Sequence, residues 1–154
     1  MNKLATLSLI ALLGACGGAD EILLDAADID STPAPSCTCA ALGSDFQQGV
    51  GTLATVELPA RTGTQNRVPG AVSRDPVARY YDGTLYVVNR FGADNVTVID
   101  PATWTVRDQF STGNGSNPQD IAVVGNKAYV AALNSVDLQV WNLVNTAAGF
   151  QPIS

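Results

Sequence analysis

Apolar positions fall into three regimes along the chain. A largely apolar run, Leu4–Leu13, interrupted by Thr6 and Ser8, opens it, followed by a stretch dominated by acidic and small residues. From Gly49 onward the apolar residues gather into strand-length runs separated by Gly, Asn, Asp and Pro, the pattern of short strands and tight turns. The runs predict strands over Thr52–Leu58, Val77–Tyr81, Leu85–Asn89, Val96–Asp100, Trp104–Phe110, Asp120–Val124, Ala128–Leu133 and Val136–Asn142, with Phe150–Ile153 starting one more. Asp82-Gly83 between two apolar runs is a strong hairpin signal. Leu85-Tyr86-Val87-Val88 and Ile121-Ala122-Val123-Val124 are apolar at consecutive positions. A sheet with one wet face alternates, so runs of this kind suit sheets covered on both faces.

The runs also repeat. Tyr129 follows Tyr86 by 43 residues and Val140 follows Val98 by 42, a period that suits stacked four-stranded blades. Tyr86-Val87-Val88-Asn89, the turn through Gly92-Ala93-Asp94-Asn95, Val96-Thr97-Val98-Ile99-Asp100, Ala102-Thr103-Trp104-Thr105-Val106, Pro118-Gln119-Asp120-Ile121-Ala122-Val123 and Tyr129-Val130 together resemble the YVTN β-propeller repeat. The resemblance covers about Asp75 to Asn142, under half of the chain. It departs from the family where Ala131-Ala132-Leu133 replaces the Thr-Asn end, and Thr52–Leu58 with Val77 resembles only the outer end of a preceding blade.

The fold class expected is therefore all-β, with propeller-like blades of antiparallel four-stranded sheets, incomplete at about 1.5–2.5 blades. Closed propellers hold about 4–8 blades, and an unclosed pair leaves apolar faces and strand edges in water. The preferred reading is the N-terminal part of a longer propeller. Self-association through open blade edges, and a different β-fold, are the alternatives; a truncated reading frame with no independent function is a further one.

The start of the chain changes the picture. Lys3, the apolar run and Gly14-Ala15-Cys16 form the basic, apolar and small-residue parts of an export signal. The apolar run is shorter than the roughly 20 residues a bilayer crossing needs. Leu13-Gly14-Ala15-Cys16 resembles the lipobox of bacterial lipoproteins, which implies cleavage before Cys16 and a lipid-bearing Cys16 at the mature N-terminus. An ordinary secretory signal with a chance cysteine is the competing reading. The organisation expected is a signal over residues 1–15, an acidic, Pro- and Ser-rich tether over 16–48, and a partial propeller domain over 49–154. By resemblance to enterobacterial sorting, Gly17 after the cysteine favours the outer membrane, and the address is the bacterial envelope, periplasmic or cell-surface.

Charge then narrows the partners. The chain carries a net charge of −6, which repels phosphate backbones and argues against nucleic acid. It contains no histidine, the commonest general base and metal ligand. Cys37 and Cys39 lack the further ligands of a metal site. A disulfide between them, across one residue, is strained, and pairing with cysteines outside this chain is the other reading.

No catalytic, cofactor or metal constellation emerges. The function expected is an envelope-anchored binding or scaffolding module, held to the membrane by the lipid on Cys16, with a protein or small-molecule ligand of unassigned class. The alternative is a propeller enzyme, lactonase-like or a quinoprotein-like dehydrogenase, whose site lies mostly outside this chain. Its candidates here are Asp75, Arg90, Asp120 and Asn134, each of which also reads as a turn or capping residue; Asp82 belongs to a hairpin turn. Asn95-Val96-Thr97 matches a glycosylation acceptor, a modification rare in bacteria. Gly113-Asn114-Gly115-Ser116 lacks the lysine and helix of a phosphate loop and reads as a crossing between blades.

Overall fold

A computed structural model describes residues 11–14 and 36–154. Cys16 and the tether up to residue 35 lie outside the described residues. Among the described residues twelve strands form three four-stranded antiparallel sheets, each a meander of sequence-consecutive strands. The first holds β1 (Ala11–Gly14), β2 (Cys37–Asp45), β3 (Val50–Leu58) and β4 (Thr62–Thr64). The second holds β5 (Pro76–Tyr81), β6 (Thr84–Asn89), β7 (Asn95–Asp100) and β8 (Thr105–Ser111). The third holds β9 (Pro118–Val124), β10 (Lys127–Ala132), β11 (Leu138–Asn142) and β12 (Phe150–Ile153). The first strands β1, β5 and β9 lie beside one another. This is a blade-like, incomplete all-β arrangement, and none of the sheets closes on itself.

Turn chemistry sets the meander. Tyr81 pairs with Thr84 across Asp82-Gly83, and both turn residues have positive φ, 43° and 72°. Two positive φ values match the right-handed twist of the flanking strands and suit Asp-Gly. Gly125-Asn126 closes the corresponding hairpin of the third sheet, between Val124 and Lys127.

The consecutive apolar runs are explained by the position of the second sheet. Side chains alternate across a strand, so Leu85, Val87 and Ile99 pack against Leu42 and Leu53 of the first sheet. Tyr86, Val88, Val96, Val98 and Phe110 pack against Ile121, Ala128, Val130 and Trp141 of the third. Both faces are covered, and every residue of β6 after Thr84 is buried. Fully burying each such side chain contributes about 1.5–3 kcal/mol. Edge strand β8 is mostly exposed and carries Arg107 and Asp108, charges of the kind that discourage edge pairing.

Burial pushes the Tyr86 phenol above its ordinary value. The unfolded chain then ionises first as pH rises past the usual tyrosine range near 10. The contribution of this group is complete below that range and is lost as pH climbs toward the folded value. Tyr86→Phe is expected to flatten the alkaline limb of a pH series of urea midpoints; an unaltered limb would assign it elsewhere.

The crossings between sheets are tied by equivalent polar side chains. The Ala71 carbonyl, before the second sheet, accepts from Asn89 Nδ2 (3.2 Å) and Thr97 Oγ1 (3.0 Å). The Thr112 carbonyl, before the third, accepts from Gln139 Nε2 (2.8 Å). Thr97 and Gln139 sit one repeat apart, on β7 and β11. Asp94 closes the second crossing: its carboxylate accepts from the Gly115 N–H (2.8 Å) and the Asn117 N–H (2.9 Å). The glycine-rich segment is thus a crossing, as its composition suggests.

Three elements differ from the sequence expectation. Cys37–Asp45, inside the segment read as tether, is a nine-residue strand paired with β3 along its whole length. Its small residues give no strand-like apolar run, yet Leu42 is buried and Ala40 packs beside it. Ala11–Gly14, inside the segment read as signal, pairs with β2 as β1, while Phe150–Ile153 completes the third sheet as the further strand expected there. Trp104 is a turn residue with φ 56°, and β8 begins one residue later.

Candidate functional site

The residues expected to matter for an enzyme all hold the scaffold. Asp75 forms an ion pair with Arg90. The Asp75 carbonyl also accepts from Arg90 Nε (3.2 Å) and from the Arg90 N–H (3.3 Å). Together these contacts fasten the entry to β5 onto the end of β6. Asp120 on β9 pairs with Arg79 on β5 at 2.9 Å and joins the second and third sheets; it also accepts from the Ile121 N–H. Asn134 Nδ2 donates to the Gly115 carbonyl at 2.7 Å and so braces the second crossing. Asp82 is the first residue of the β5–β6 turn. The four candidates do not share one site: Asp75 meets Arg90, while Asp120 and Asn134 have other partners.

Arg107, on exposed β8, pairs with Asp100 at 2.5 Å and holds that carboxyl below its ordinary range. The exposed pair is a surface feature of little energetic weight.

Cys37 and Cys39 lie two residues apart on β2, hence on one face, opposite Leu58 and Val56 of β3. Residues so spaced on a strand are about 6.6 Å apart, at the far limit of disulfide geometry. Their face is the one turned away from the second sheet, since Ala40 and Leu42 occupy the other. Among the described residues no group of three His, Cys, Asp or Glu side chains could hold a metal.

The concave feature that stands out lies between the first and second sheets, at the end marked by the Asp82-Gly83 turn. It is a cleft of about 620 Å³ whose walls include Thr38, Ala40, Tyr80, Tyr81, Leu85 and Trp104. Its size and apolar, aromatic walls with a few polar groups are those of small-molecule sites. Arg79 reaches it from β5, but its guanidinium is engaged by Asp120. Trp104 enters through its left-handed turn conformation, with the Arg67 guanidinium 5.9 Å above its ring. Thr38 Oγ1 donates to Glu57 Oε2 at 2.6 Å. This arrangement can bind a flat apolar molecule and orient it by hydrogen bonds; no paired acid and base face each other across it. Tyr81 lines it without its ring, which packs toward the third sheet with its hydroxyl on the Ile121 carbonyl; the sequence signal for the cleft, Tyr80 with Trp104, was legible only as strand-forming residues. Comparison with protein-family models finds no match, and comparison with curated proteins finds none.

Proposed function

We propose that this chain is a bacterial envelope lipoprotein, cleaved before Cys16 and anchored through its acylated thiol, whose blade-like sheets form a binding or scaffolding module within a larger propeller of the YVTN type. Cleavage removes β1 (Ala11–Gly14) and leaves the first sheet with β2, β3 and β4. The lipobox residues Leu13-Gly14-Ala15-Cys16 support the anchor. The observation that carries the module reading is the aromatic cleft of about 620 Å³ between the first two sheets, which suits ligand binding without chemistry.

The larger propeller is supported by a mismatch between equivalent faces. Tyr86, Val96, Val98 and Phe110 of the second sheet are buried under the third. One repeat later, Tyr129, Leu138, Val140 and Ile153 occupy the same positions on the third sheet, on the face away from the core. No other element covers that face among the described residues, and another four-stranded unit would.

Two measurements test the reading. The full chain produced in a diderm bacterium fed alkyne-palmitate is expected to carry the label and to fractionate with membranes; Cys16→Ala is expected to lose both. Label retained by Cys16→Ala would refute the anchor. For the cleft, 2-naphthol is expected to shift the amide resonances of Leu85 and Ala102, and Trp104→Ala to weaken binding about tenfold or more, the loss of one good stacking partner. Shifts confined to other residues would refute the cleft as the ligand site.

A further inference from the structure

The end of the sheets opposite the cleft carries a second cluster, built by three segments. Phe46 sits in the β2–β3 turn and Phe91 in the β6–β7 turn; their rings lie 5.3 Å apart, centroid to centroid, at 32°. Arg74, from the crossing between the first two sheets, places its guanidinium 6.0 Å from the Phe46 ring and 5.7 Å from the Phe91 ring. Both rings are largely in water, 51% and 46% exposed. Phenylalanines of that exposure, side by side, have no packing reason to be there.

The arginine is the informative residue. Arg79, Arg90 and Arg107 each hold a carboxylate. Arg74, like Arg61 and Arg67, does not, and among the described residues no side chain accepts a hydrogen bond from its guanidinium; of these three it is the one set against two exposed phenyl rings. Gly49 has φ +74°, and a Cβ there would fall 2.6 Å from Arg74 Nη2, so a residue with any side chain would push the guanidinium aside. Neighbouring acids are already engaged. Asp75 is bound by Arg90, and Asp45 accepts from the Gln47 and Gln48 N–H groups (3.0 Å each).

We infer that Phe46, Arg74 and Phe91 form a binding site for a monocarboxylate with an aromatic or apolar body, such as the C-terminal end of a peptide finishing in an apolar residue. The planar guanidinium offers two parallel N–H donors that match a carboxylate. The exposed phenyl rings take the apolar part, and stacking against them holds the guanidinium in place. A doubly charged phosphate is disfavoured by Asp45 and Asp75 close by and by the net charge of −6. This site is separate from the cleft and stands or falls apart from it.

The test is an NMR titration of the full chain with N-acetylphenylalanine and, in parallel, its uncharged amide. The acid is expected to bind at least about tenfold more tightly than the amide, the weight of a charge-assisted bidentate pair, with shifts centred on the β2–β3 and β6–β7 turns. Arg74→Ala is expected to abolish that preference, and Phe46→Ala with Phe91→Ala to weaken acid and amide alike. Gly49→Ala keeps all three side chains but displaces the guanidinium and strains the turn that carries Phe46 through its positive φ, and is expected to weaken binding of the acid and to lose most of its preference. Thermal midpoints of each variant check that the fold is retained, and Trp104→Ala is expected to leave this binding unchanged. Equal affinity for acid and amide, no binding of either, or a preference that persists in folded Arg74→Ala would overturn the assignment.

Discussion

Trp141→Ala is expected to destabilise the fold by about 3–5 kcal/mol, the usual range for emptying a large aromatic site. Trp141 is buried on the face of β11 that meets the second sheet. Its ring lies 4.6 Å from Phe110 and 5.4 Å from Phe150, so one side chain ties the third sheet to the second and braces β12. Aromatic pairs of this kind add about 0.5–1.5 kcal/mol each beyond burial. Its Nε1 donates to Gln139 Oε1 at 3.2 Å, while Gln139 Nε2 holds the Thr112 carbonyl. Removing the indole therefore leaves a buried amide oxygen without its donor, which costs more than the lost bond itself. Trp141→Phe keeps an aromatic ring and gives up the N–H, and is expected to cost roughly half as much. Urea unfolding can be followed by Trp104, since the chain has two tryptophans and Trp104 lies in the other inter-sheet layer. A loss under about 1 kcal/mol for Trp141→Ala would mean that the third sheet does not rest on the second through this residue.

The layers were legible in the sequence where one residue type implies one environment. The consecutive apolar residues of Leu85–Val88 require cover on two faces, and the second sheet has it. Asp82-Gly83 requires positive φ and forms the tight turn. β2 was not legible, because Cys-Thr-Cys-Ala-Ala-Leu buries little side-chain area and its strand state comes from nine paired positions on β3, a non-local cause. The sites were less legible still. Asp75 and Arg90 were singled out as polar residues at strand ends, yet only their mutual position reveals an ion pair that fastens two strands. Phe46 lay in a segment read as tether, and nothing in its neighbours announces that Arg74 and Phe91 converge on it. Convergence of turns from different sheets is a property of stacking, and one-dimensional patterns do not carry it.

Asn89 tests whether that stacking depends on its crossings. The residue is 1% exposed. Its Oδ1 accepts from the Ser73 N–H (2.8 Å), and the two hydrogens of its Nδ2 are shared among the Ala71 carbonyl (3.2 Å), Asn95 Oδ1 (2.8 Å) and Thr97 Oγ1 (3.2 Å). Asn89→Ala is expected to cost about 2–4 kcal/mol: a small cavity, plus the roughly 1–3 kcal/mol of leaving the Ser73 N–H unsatisfied. The Ala71 carbonyl keeps Thr97 Oγ1 at 3.0 Å, which limits the loss. Asn89→Asp preserves the acceptor for Ser73 but turns a second oxygen toward Ala71, Asn95 and Thr97, all of which present acceptors. It is expected to be at least as harmful at neutral pH and to recover part of the loss in acid, where a protonated carboxyl donates again. The Ser73 amide is the local reporter, with hydrogen exchange expected to quicken in Asn89→Ala more than that of β10 or β11. One repeat later the corresponding residue is Ala132, and there Gln139 alone reaches the crossing carbonyl. The third sheet thus does without an asparagine at this position because a longer side chain does the holding. If Asn89→Ala changed neither stability nor Ser73 exchange, Thr97 alone would suffice at the first crossing as Gln139 does at the second.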